Sequence, residues 1–137
     1  MKIRGSSPCN RPCATCPLMT TSEHITSTSN NTKHKICGCY NCNSTNVIYV
    51  ITCNQCIIQY VGQTTTTVNS RMRNHISDIK TRKLDKPVAA HFCNIACNVS
   101  INVIDSCQSL DVNTLLRQEE AWIRILTRQP AGLNLIQ

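Results

Sequence analysis

Between Asn46 and Thr52 the chain is almost wholly β-branched or aromatic, the signature of a buried strand. Ile57 to Thr64 predicts a second strand, with Cys53-Asn54-Gln55-Cys56 between the two. A hairpin folded symmetrically about Asn54-Gln55 sets Cys53 opposite Cys56 and Tyr49 opposite Tyr60. Directly opposed residues share a sheet face roughly 5 Å apart, so both phenols would point into one site. Tight two-residue turns favour glycine, which is absent here, so a metal would have to impose this turn.

Thr65 to Thr67 can cap a helix running to about Thr81, with an apolar stripe of Val68, Met72, Ile76 and Ile79. His75 falls on that stripe and Arg71 flanks it one turn earlier. Asp85-Lys86-Pro87 starts a short second helix containing His91, with proline suited to a first turn. Ser100 to Asp105 predicts a third strand. Asn113 to Thr127 predicts the last helix, ended by Pro130 and Gly132. At 100° per residue, Leu115, Leu116, Trp122, Ile123 and Leu126 cluster about one direction of that helix. Glu119 points into the middle of the cluster, whereas Glu120 points to its margin. A carboxylate on an apolar face is costly unless it is paired or holds a metal.

Residues 1–45 lack both periodicities. Thr20 to Lys35, poor in apolar residues, predicts a loose loop within a Cys-rich, Ser/Thr/Asn-rich segment that only metal could order. The 137 residues leave room for one modest domain plus such an appendage. Aromatic residues make up only 4%, so the core is aliphatic and small, a situation in which metals or disulfides often assist.

Eleven cysteines are available. They are odd in number and recur as short clips, Cys13-x2-Cys16, Cys39-x2-Cys42 and Cys53-x2-Cys56. The polar stretch Met1 to Cys9 has no secretory character. Thiolate zinc sites in a reducing compartment suit this pattern better than disulfides. Cys9, Cys13 and Cys16 supply three ligands on one side of the loop. Among Cys37, Cys39 and Cys42, the fourth is Cys42, which lies closest to the strand at 46–52 and so is held near the folded body. No stretch is long and apolar enough to span a membrane. The formal charge is +7, or about +5 once one four-thiolate zinc site of net −2 is counted. Arg71, Arg73, Lys80, Arg82, Lys83 and Lys86 form its densest run. The excess favours an anionic partner such as nucleic acid.

In order along the chain stand Val47-Ile48-Tyr49, Tyr60-Val61-Gly62-Gln63-Thr64, Arg71-x3-His75, Glu119-x2-Trp122-Ile123 and Pro130-x3-Asn134. This series resembles the GIY-YIG nuclease family over residues 46–137, with Val47 standing where the family has glycine. The inserted Cys-x2-Cys and the pair His75 and His91 resemble the variant of that domain found in Penelope-like retroelements, where it follows a reverse transcriptase. The resemblance implies an α+β fold, a small three-stranded antiparallel sheet flanked by helices in the order β-β-α-α-β-α. Residues 1–45 would form an N-terminal Cys-rich zinc-binding segment ahead of it.

It further implies a metal-dependent DNA endonuclease that nicks DNA in the nucleus for element insertion, with a polymerase domain in a longer parent protein. Glu119 would hold Mg²⁺ or Mn²⁺, Arg71 would stabilise the scissile phosphate, Tyr49 or Tyr60 would handle the attacking water, and Asn134 would fix geometry. His75 stands between two roles. It lies one helical turn from Arg71, and with Cys53, Cys56 and His91 it completes a tetrahedral zinc site; the second role is the one assigned. Two structural Zn²⁺ ions would then be bound, at Cys9/Cys13/Cys16/Cys42 and at Cys53/Cys56/His75/His91. The alternative is a non-catalytic zinc-containing module that binds nucleic acid through Arg71 to Lys86.

Overall fold

The computed structural model describes residues 5–9, 15–55, 57–83, 85–86, 99–108 and 111–127. The elements are β1 (Gly5–Ser6), β2 (His24–Thr26), β3 (Lys33–Lys35), β4 (Cys39–Tyr40), β5 (Val47–Cys53), β6 (Ile58–Thr64), α1 (Val68–Lys80), β7 (Val99–Ser106) and α2 (Val112–Leu126). A single 3-10 turn occupies Cys16–Leu18. The class is α+β. The main sheet is three-stranded and antiparallel in the order β6-β5-β7. β2 and β3 form a separate antiparallel ribbon, and β1 pairs with β4 in parallel. The helix expected after Asp85, with His91, lies outside the described residues, as do Pro130 and Gly132.

The central strand reads as a continuous apolar run because both its faces are covered. Val47, Tyr49 and Ile51 alternate onto one face, under Val68 and Met72 of α1. Ile48 and Val50 point to the other, against Leu115 and Leu126 of α2. Helix α1 starts where Thr67 caps it, its side chain accepting from the Ser70 N–H. Asp111 caps α2 in the same way through the Asn113 N–H. Asp105 of β7 ties α2 down: its Oδ2 accepts from Trp122 Nε1 at 2.9 Å and Gln118 Nε2 at 3.1 Å. Of the apolar stripe read for α2, Leu116 instead faces outward, 40% exposed.

Two expectations are corrected. Thr20 to Lys35 is no loose loop but carries the β2–β3 ribbon. Met19 joins the α1 core, while Ile25 and Ile36 join the α2 core. Gln59 Nε2 donates to the Thr26 carbonyl at 2.9 Å, and Ser27 Oγ donates to the Leu126 carbonyl at 2.7 Å.

The second correction is the hairpin register. Tyr49 lies opposite Gly62 and Tyr60 opposite Ile51, with Cys53 opposite Ile58. The turn is wider than two residues: the Ile57 N–H bonds to the Cys53 carbonyl at 2.9 Å, and Ile57 takes a left-handed φ of 57°. A slip of one residue would have sent the phenols to opposite faces. The observed offset of two keeps them on the same one.

Gly62 is what allows this register. A Cβ built there would stand 2.6 Å from Cζ and from Oη of Tyr49 and 2.9 Å from Cε2 of Tyr60. Gly62→Ala is therefore expected to destabilise the fold by about 1–3 kcal/mol through overpacking, read as a lower midpoint in urea titration.

Candidate functional site

Tyr49, Tyr60, Arg71, His75 and Glu119 come together, although they arise from two strands and two helices. The ring centroids of Tyr49 and Tyr60 are 6.4 Å apart, and His75 sits edge-on to both at 5.9 and 5.6 Å. His75 Nε2 lies 2.7 Å from the Tyr49 hydroxyl, in a buried contact. The Arg71 guanidinium stands close enough to both phenols to favour their ionised forms.

Donor and acceptor counting orders this chain. A guanidinium only donates, so towards Arg71 the Tyr49 oxygen can only accept, and its own proton is available to donate to Nε2 of a neutral His75. In that arrangement His75 is neutral, with its proton on Nδ1. Burial, reinforced by the Arg71 charge, agrees, lowering the His75 pKa to about 4. Burial raises the Tyr49 phenol far above its ordinary value, with Arg71 pulling the other way. It raises that of Tyr60 in the same sense. Neither phenol ionises at neutral pH in this state.

Glu119 enters from α2. Its pKa is raised by burial and by Glu120, and lowered in part by Arg71. Its charge is also felt by both phenols, which places it beside the tyrosine cluster. Among the described residues it forms no ion pair within 4.0 Å. The carboxylate is thus half-buried and near a guanidinium without being consumed by it.

His75 joins this cluster through the contact of its Nε2 with the Tyr49 hydroxyl. Cys53 is buried on β5, while Cys56 and His91, which the zinc reading also requires, lie outside the described residues. So does Asn134.

The neutral state of His75 has a consequence for stability. A histidine whose pKa is about 4 when folded and about 6.5 when unfolded binds its proton more readily in the unfolded chain. Its contribution is fully present above pH 6.5 and is lost as pH falls towards 4, by up to about 3 kcal/mol. The raised carboxyl of Glu119 acts in the opposite sense. Urea titrations at pH 7 and pH 4.5 are expected to show the loss in wild type and a smaller one in His75→Gln.

The N-terminal cysteines form the second constellation. The Sγ atoms of Cys9 and Cys16 are 3.2 Å apart and those of Cys16 and Cys42 3.5 Å apart. All three lie within 4.8 Å of one another. Thiolates about 2.3 Å from a tetrahedral zinc stand roughly 3.8 Å from each other, so the cluster can hold such a metal. Cys42 is the member chosen from the second clip, whereas Cys37 and Cys39 are exposed. Cys13, the fourth expected ligand, lies outside the described residues.

The cluster abuts the start of α1. The Asn69 N–H donates to the Cys42 carbonyl at 2.9 Å, and Thr15 Oγ1 donates to Asn69 Oδ1 at 3.0 Å. Metal bound here would brace the first turn of the helix that carries Arg71. Cys42→Ser is expected to lose about one equivalent of zinc per chain, measured by elemental analysis of purified protein.

The exposed flank of α1 and the turn after it carry Arg73, Lys80, Arg82, Lys83 and Lys86. Only Lys83 is paired, to Asp78 at 3.7 Å, among the described residues. No described helix is long and apolar enough to cross a membrane. Comparison of the chain with protein-family models, with curated proteins and with solved structures finds no match to any of them.

Proposed function

We propose that this protein is a divalent-metal-dependent DNA endonuclease acting by phosphodiester hydrolysis at the pocket of Tyr49, Tyr60, Arg71, His75 and Glu119. The observation that carries the reading is the meeting of a guanidinium, two phenols, a neutral imidazole and a half-buried carboxylate from four separate elements.

Hydrolysis of a phosphodiester needs charge neutralisation at the phosphorane, a proton acceptor for water and stabilisation of the leaving oxygen. Arg71 suits the first need: its planar fork presents several donors to non-bridging oxygens. For the second, Tyr49 and His75 would orient the water by hydrogen bonding while both stay neutral, and the proton it loses would pass to solvent. Tyr60, held by the same guanidinium, orients the water or phosphate. Glu119 would hold Mg²⁺ or Mn²⁺, which supplies Lewis-acid charge at the scissile phosphate when bound. Zinc at the Cys9/Cys16/Cys42 cluster has a structural role, and the cationic flank of α1 takes the DNA backbone.

A nick of this kind would serve retroelement insertion, in keeping with the likeness to the nuclease domain of Penelope-like elements and with a polymerase partner in a longer parent protein. The exposed, mostly unpaired cations of α1 and its following turn also favour a second reading, a zinc-containing module that only binds nucleic acid. Incubation with supercoiled plasmid separates the two. The nuclease reading expects relaxed circles that appear with Mg²⁺ and not without it. Plasmid that is bound but stays supercoiled at every metal concentration selects the module.

A further inference from the structure

We propose that the β2–β3 ribbon is a second contact for the backbone of duplex DNA, separate from the cationic flank of α1. The inference rests on DNA being the partner. It does not depend on whether the site cuts.

The ribbon register pairs His24 with Lys35, Ile25 with His34 and Thr26 with Lys33. Pairs alternate between faces, so His24, Thr26, Lys33 and Lys35 share one side, and all four are exposed. Every one of them can donate a hydrogen bond. The inner face is apolar and fixed. Ile25 is buried in the α2 core, and His34 packs edge-on against Trp122 at 5.8 Å.

The ribbon cannot swing away freely. Gln59 bonds to it twice, through the Thr26 carbonyl at 2.9 Å and the Thr28 N–H at 3.1 Å. Asn30 Nδ2 donates to the Ile125 carbonyl at 3.2 Å. The outward lysines therefore sit on a rigid platform, which reduces the ordering cost that usually weakens surface charges.

Charge selects the occupant. Glu23 is the single acid from Thr15 to Lys35. Neither Lys33 nor Lys35 forms an ion pair among the described residues. Lys33 and Lys35 lie two residues apart on one strand, roughly 7 Å, comparable to the separation of neighbouring phosphates along a nucleic-acid strand. A two-stranded ribbon also has the width that a B-form major groove admits. Gln59, which holds the ribbon, is the neighbour of Tyr60 on β6, the edge strand. Gln59 and Tyr60 point to opposite faces of that strand, so the ribbon and the candidate site lie on different faces of the sheet, the ribbon on the α2 side.

The test is fluorescence anisotropy with a short fluorescein-labelled duplex across a salt series. Magnesium is omitted, and no chelator is added that would strip a thiolate-bound metal. In Lys33→Ala/Lys35→Ala the slope of log affinity against log salt is expected to fall by about 1 per lysine. Thermal melting should not change, because both side chains are exposed. Lys33→Glu/Lys35→Glu should weaken binding further. An unchanged slope in both double variants would overturn the proposal, as would polyglutamate that competes as well as duplex DNA does. A wild type that binds DNA but never nicks removes the reading of the active site, and the slopes still judge the ribbon.

Discussion

Arg71→Ala is expected to slow plasmid nicking by on the order of 10² to 10³-fold, the usual cost of removing one preorganised donor from a transition-state site. Three features argue for the upper end. Arg71 is partly withdrawn from water, bonded to Tyr49 and within the field of Glu119, so its charge is less screened than that of a surface arginine. Its charge also acts on both phenols at once. Removing it leaves the buried Tyr49 oxygen without that donor and frees the hydroxyl to turn away from His75. Arg71→Lys keeps the charge but replaces a planar fork by a point donor that cannot reach two phenols together. Its rate should fall between those of wild type and the alanine variant. DNA affinity should change little in either case, by about one phosphate contact in the salt slope. Single-turnover nicking at saturating enzyme, set beside anisotropy at matched salt, separates the two effects. Wild-type nicking by Arg71→Ala would remove the guanidinium from the mechanism.

The sequence told most where local pattern and tertiary burial agree. The run from Val47 to Ile51 is apolar throughout because helices cover both faces of β5, and that pattern is visible without coordinates. Thr67 caps α1, and the expected third strand and last helix match β7 and α2 to within a residue or two. Glu119 drew notice because a carboxylate on an apolar face conflicts with its neighbours. That conflict marked the residue beside Arg71.

The unread parts depend on contacts distant in sequence. The hairpin offset is set by Gly62 making room for Tyr49 and by Ile57 accepting a left-handed conformation that β-branched residues rarely take. A symmetric turn was the simpler guess, and it kept the phenols on the right face only because the error was an even number of residues. The β2–β3 ribbon escaped notice because each strand has three residues and just one, Ile25, is a buried apolar anchor. Its order comes from Gln59, Leu126 and Ile125, far along the chain. The position of His75 one turn after Arg71 is legible, since that spacing puts both on the helix face above Tyr49.

Glu119 tests the central claim, that these groups serve one phosphate. Glu119 is half-buried and near Arg71, yet forms no ion pair among the described residues. Such a carboxylate contributes little to stability and keeps oxygen lone pairs for a hard divalent ion, whose other ligands would be water and phosphate. Its removal should forfeit about 4 kcal/mol of charge stabilisation, or about a thousandfold in rate, and leave the fold intact. Binding should hold or tighten, because a negative charge leaves the surface that faces DNA. The decisive measurement is Mg²⁺-dependent nicking of supercoiled plasmid by wild type and Glu119→Ala, side by side at equal DNA occupancy. The account predicts relaxed circles from wild type and almost none from the variant. Equal nicking by both proteins would contradict it.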